Sequence, residues 1–142
     1  MRAENLHATL AFLGDTPVAE LDKLLALGAA QDALRCNMRL THADCWQRSR
    51  VAVLCPDEVE EPLLRLVDGL QRGLDGAGLR FDRRAWRPHA TLLRDVRCGA
   101  EASAVEPLDW RVEGFVLLAS RHDAAGVRYE VLGRWETGGE VS

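Results

Sequence analysis

The chain has 142 residues, a net charge of −4, 47% apolar and 28% charged residues, which suits one globular domain (1–142) able to bury about two thirds of its unfolded surface without staples. The acidic balance argues against bulk, sequence-independent nucleic-acid binding, and no apolar run approaches the ~20 residues of a membrane span. The opening Met1-Arg2-Ala3-Glu4-Asn5 has no apolar leader core, so a cytoplasmic location is the default expectation.

Residues 5–13 read as a strand stopped by Gly14. Thr16 is placed to cap a helix with Pro17 in its first position, and Val18, Leu21, Leu24 and Leu25 recur at helical spacing to about Ala30. Two strands are expected next, around residues 36–40 and 51–54. Asp57 and Glu60 have capping-box spacing, and Val59, Leu63, Leu66, Val67, Leu70 and Leu74 form an amphipathic helix that Gly76 and Gly78 end. Pro88 biases Arg87 towards extended structure and leads into another strand. After a loop at residues 99–107, residues 109–120 and 127–135 read as a hairpin joined through 121–126, and the polar tail 137–142 is expected to fray. No glycine-rich βα turn of a dinucleotide fold occurs.

Cys36, Cys45, Cys55 and Cys98 show no C-x-x-C spacing, so they read as reduced, mostly buried thiols. Of eighteen basic residues only Lys23 is lysine. Six arginines, Arg80, Arg83, Arg84, Arg87, Arg94 and Arg97, face only Asp82 and Asp95 in their segment. Arginine's planar fork suits phosphate oxygens.

One tetrapeptide occurs twice, His7-Ala8-Thr9-Leu10 and His89-Ala90-Thr91-Leu92. In an extended backbone His and Thr two residues apart share one face, while Ala and Leu share the other. Each copy therefore buries an apolar row and presents an imidazole beside a hydroxyl. The second copy lies inside the arginine-rich segment. His42 and His122 lack a Thr two residues on and read as ordinary surface histidines. Trp86, Phe12 and Tyr129 are aromatics in or beside strands, where a core role is the commoner one, and they are left out of the site.

Two His-x-Thr strands in a chain of this size resemble the 2H phosphoesterase superfamily, and the flanking residues narrow the resemblance to its RNA 2',3'-cyclic phosphodiesterase branch, the 2'-5' RNA ligase family. The first motif is similar over Asn5-Leu6-His7-Ala8-Thr9-Leu10-Ala11-Phe12-Leu13-Gly14 and the second over Arg87-Pro88-His89-Ala90-Thr91-Leu92-Leu93-Arg94. The final hairpin, with Tyr129-Glu130-Val131-Leu132 before Trp135, resembles the family's C-terminal strands. The resemblance implies an α+β fold of two similar lobes, antiparallel-rich sheets with outer helices around a central cleft. Family members usually carry a strand and a helix ahead of the first motif, whereas this chain starts six residues before His7. Either the sequence starts at an internal methionine of a longer reading frame, or the first lobe is built without them; in the second case it is expected to expose a sheet edge, which invites a homodimer.

The resemblance further implies hydrolysis of 2',3'-cyclic phosphates at RNA ends or on nucleotides, with no cofactor and no metal. His7 and His89 would take opposed acid and base roles, since an unperturbed imidazole titrates near ~6.5. Thr9, Thr91 and Arg94 would hold phosphate oxygens. Two other readings share these residues: a non-catalytic RNA-end or nucleotide-binding module, and 2'-5' RNA ligation. A metal hydrolase fits poorly, because neither motif offers spaced ligands.

Overall fold

A computed structural model describes residues 7–32, 35–99 and 103–136. In order they form a short 3₁₀ turn (Val18–Glu20), α1 (Leu21–Ala29), β1 (Cys36–Trp46), β2 (Val51–Pro56), α2 (Glu61–Gly76), β3 (Ala90–Arg94), β4 (Ser103–Val112), β5 (Gly114–Asp123) and β6 (Gly126–Glu136). The fold is α+β with antiparallel sheets. A four-stranded sheet has the order β3-β2-β1-β4, and β5 and β6 form a separate pair. No helix among the described residues is long and apolar enough to cross a membrane.

The chain divides into two compact units that interleave along the sequence. The first comprises Met1–Leu10, Asn37–Val59 and Ala85–Arg111, the second Ala11–Cys36, Glu60–Arg84 and Val112–Ser142. Sequence order alone suggests one motif per half. Instead both motif segments belong to the first unit, because they pair with each other.

In that unit β2 is an inner strand, between β3 and β1. Val51, Val53 and Cys55 alternate into a buried row, with Trp46 packed against it, the pattern of a strand covered on one face. The β1–β2 hairpin is longer than its sequence suggests. A register shift between Leu40 and His42 leaves Thr41 as an extra residue and interrupts the alternation, so the second half of β1 does not read as a strand.

In the second unit α2 buries Leu63, Leu66, Val67, Leu70 and Leu74, the predicted stripe, and each such burial is worth about 1.5–3 kcal/mol. Its end is a Schellman turn: Gly78 takes φ +73°, while Gly78 N–H donates to Asp75 O at 3.0 Å and Leu79 N–H to Leu74 O at 2.9 Å. The expected caps do not form. Glu60 precedes α2 without a side-chain cap, and Thr16 donates its hydroxyl to Gly14 O at 3.1 Å instead of capping a helix. The helix predicted from Pro17 accordingly begins as the 3₁₀ turn. Against β6, α1 approaches so closely that a Cβ on Gly28 would fall 2.5 Å from the Trp135 ring, and that ring stacks on Phe115 at 5.2 Å.

Two further expectations change. The run predicted as one arm, residues 109–120, is cut before Gly114, so β4 joins the four-stranded sheet and β5 the hairpin. Cys45 and Cys98, predicted to be reduced, form a disulfide with Cα atoms 5.6 Å apart. It joins β1 to the segment after β3, a proximity that the sheet creates and that spacing does not reveal. Cys36 and Cys55 stay free and buried, as expected. The tail at residues 137–142 lies outside the described residues.

Candidate active site

The predicted first strand is reduced to an extended segment with a single antiparallel bridge, Ala8 to Ala90; residues 5 and 6 lie outside the described residues. That bridge sets the site. Its register places His7 across from Thr91 and Thr9 across from His89, and alternation turns all four to the face away from Ala8 and Ala90. Ala90 is buried, and the four polar residues are half-buried. Directly opposed side chains lie ~4.5–5.5 Å apart at Cβ, and diagonal ones ~7–8 Å. The two imidazoles occupy one diagonal and the two hydroxyls the other, so a group held between the four meets an imidazole from each of two sides.

The flanking residues fix both copies. Trp86, just before the second motif, donates its indole N–H to Thr9 O in the first at 2.9 Å. His89 Nδ1 lies 2.7 Å from Arg87 O. A carbonyl can only accept, so Nδ1 carries a proton and Nε2 is the nitrogen left for chemistry. The Trp46 ring packs on His89, centroids 4.4 Å apart at 57°, and the Arg87 guanidinium lies 4.0 Å above that same indole. Arg87 and His89 thus both pack against Trp46.

Arg94 reaches the same face through a bulge. Thr91 lies opposite Val53, Leu93 opposite Ala52 and Arg94 opposite Val51, leaving Leu92 as the extra residue. Val51 and Val53 share a face, and therefore so do Arg94 and Thr91. Without the bulge, three residues of separation would put them on opposite faces. Arg94 is exposed, and among the described residues no carboxylate pairs with it.

The basic segment divides by partner. Arg83 pairs with Asp75 and Arg84 with Asp82, and Arg84 holds the Asp82 carboxyl down to about 2. Those guanidiniums are neutralised. The Cys55 thiol is pushed up by burial and by Asp44, with Arg87 opposing, so it stays protonated at neutral pH and is no nucleophile. His42 lies on β1 opposite Cys55, with Nδ1 3.3 Å from an Asp57 oxygen; it is half-buried rather than on the open surface. His122 is exposed on β5. Phe12 and Tyr129 belong to the second unit. Trp46 and Trp86 are the site-supporting residues that sequence reasoning passed over, because an aromatic at a strand end carries no signal beyond packing. Arg87 was visible as part of the motif and of the arginine-rich segment, but not as a partner of Trp46 and His89.

An antiparallel α+β fold with paired His-x-Thr segments defines the class of 2H phosphoesterases. The sequence model of the 2'-5' RNA ligase superfamily matches residues 1–124, and the chain belongs to that superfamily. It is 36% identical over 138 residues to the RNA 2',3'-cyclic phosphodiesterase of Escherichia coli strain K12, covering 94% of this chain and 76% of that protein. It is 33% identical over 155 residues to the RNA 2',3'-cyclic phosphodiesterase of Thermus thermophilus, covering 95% and 73%. Among solved structures, E. coli LigT complexed with 3'-AMP superposes with a TM-score of 0.84 at 31% identity, over 96% of this chain and 79% of that one. LigT has also been crystallised with ATP, NADP+ and phosphate.

Proposed function

We propose that this protein hydrolyses the 2',3'-cyclic phosphate of RNA ends or nucleotides to a phosphomonoester. The observation that supports the reading is the Ala8–Ala90 bridge, whose antiparallel register is consistent with His7, Thr9, His89 and Thr91 sharing one face. The activity in the names of both relatives, each similar over most of this chain, supports the same chemistry.

In the reaction, water attacks phosphorus and the bond from phosphorus to one ribose oxygen breaks. One imidazole of the His7/His89 pair takes the proton from water, and the other protonates the departing ribose oxygen, His89 acting through Nε2 in either role. The product is a monoester with one free ribose hydroxyl. Thr9 and Thr91 donate their hydroxyl hydrogens to the non-bridging oxygens, where charge accumulates in the transition state. Arg94 supplies a guanidinium from the same face.

The test incubates the protein with a nucleoside 2',3'-cyclic phosphate and with an RNA ended in one, in EDTA, and identifies the products. Turnover to a monoester with a bell-shaped pH dependence is expected. Binding without turnover would replace this reading with a nucleotide-binding module, and strict dependence on added metal would refute the two-imidazole scheme.

A further inference from the structure

The first unit holds a second basic feature that the His/Thr cluster does not use. Where the β1–β2 turn meets the segment after β3, an open cavity of about 320 Å³ is lined by Gln47, Arg50, Val96, Arg97 and Cys98. Its walls are constrained. Arg50 sits in the left-handed region at φ 56° and Asp95 at φ 57°; Val96 N–H donates to Arg50 O at 3.1 Å; and Cys98 is tied to Cys45. Among the described residues neither Arg50 nor Arg97 has a carboxylate partner, whereas Arg72, Arg83, Arg84 and Arg121 each have one. The neighbouring Asp95 pairs with neither arginine.

Two arginines without a carboxylate partner among the described residues line this one cavity, a combination that favours an anion bound there. Gln47 adds an amide. These donors fit the non-bridging oxygens of a phosphodiester. The cavity also stands at a defined remove from the reacting cluster. Val96 lies five residues beyond Thr91, at most about 16 Å along an extended chain. Trp46, whose ring touches His89, is the chain neighbour of Gln47. A separation of at most that length is within reach of a few linked nucleotides.

We infer that Arg50 and Arg97 form a second phosphate subsite, which takes an internal phosphodiester of the RNA whose cyclic-phosphate end occupies the His/Thr cluster. The occupant of that cluster rests on the function proposed above. The subsite makes the protein favour an oligonucleotide end over a free nucleotide.

The test uses Arg97→Gln, Arg50→Asn and the double variant; asparagine tolerates the left-handed backbone at position 50. In the double variant, kcat/KM for a tetranucleotide ended in a 2',3'-cyclic phosphate is expected to fall about tenfold, through KM. Turnover of a nucleoside 2',3'-cyclic phosphate should stay within twofold of wild type. Independently of catalysis, affinity for an unreactive tetranucleotide ended in a 3'-phosphate should fall about tenfold. The log–log salt slope of that binding should flatten by about 0.7 for each phosphate contact removed. Equal losses on both cyclic substrates, or unchanged tetranucleotide affinity and salt slope, would overturn the subsite. A wild type that turns over neither substrate, with variants that still weaken tetranucleotide binding, would sink the proposed activity and leave the subsite standing.

Discussion

The two copies of His-Ala-Thr-Leu are identical in sequence and unequal in support. The second begins a strand paired to β2 except at the Leu92 bulge, with its imidazole held by the Arg87 carbonyl and the Trp46 ring. The first is held, among other contacts, by one bridge at Ala8 and by the Trp86 indole N–H on the Thr9 carbonyl. Four residues thus do not specify a strand; the neighbours they can pair with do. The second copy is thus built into the sheet through β2, and the first is joined to it through the Ala8–Ala90 bridge.

If the four side chains nevertheless work as one symmetric set, the hydroxyls should matter equally. Thr9→Val and Thr91→Val are each expected to lower kcat for a nucleoside 2',3'-cyclic phosphate by about 10²-fold. A large loss in one and none in the other would mean that only one copy touches the phosphate. Arg94 reaches the face only because of the bulge at Leu92, and Arg94→Ala should lower kcat/KM about tenfold, the scale of a hydrogen bond to a charged group. No change would place that guanidinium in solvent. The smallest effect concerns the weaker copy: Trp86→Phe removes the donor to Thr9 O and should cost about fivefold in kcat/KM, the worth of about 1 kcal/mol, with Tm little changed. An unaffected rate would show that the Ala8 bridge alone aligns the first copy.

Much of this arrangement is legible in the residues. The stripe from Leu63 to Leu74 gives α2, and period-two alternation puts His and Thr of each motif on one face before any pairing is known. What the residues hide is created by pairing between distant segments. The Ala8–Ala90 bridge spans most of the chain. The bulges at Thr41 and Leu92 break the alternation on which strand reading depends, and they decide which way His42 and Arg94 face. The basic segment reads as one cluster, yet Arg83 and Arg84 are consumed by Asp75 and Asp82 while Arg94 and Arg97 are not. Only the folded chain sorts them. The Cys45–Cys98 disulfide has the same origin, since 53 residues separate its ends and closing such a loop is worth about 4 kcal/mol in the chain-entropy account.

The central claim is that His7 and His89 act together on one phosphoryl group. It is tested most directly by comparing single-turnover rates of His7→Ala, His89→Ala and the double variant on a nucleoside 2',3'-cyclic phosphate, with folding checked by circular dichroism. Each single change is expected to slow the reaction ~10²- to 10⁴-fold, and the double variant to be little slower than either, as groups acting as a unit behave. Near wild-type rate in either folded single variant, or losses that multiply fully in the double, would contradict it.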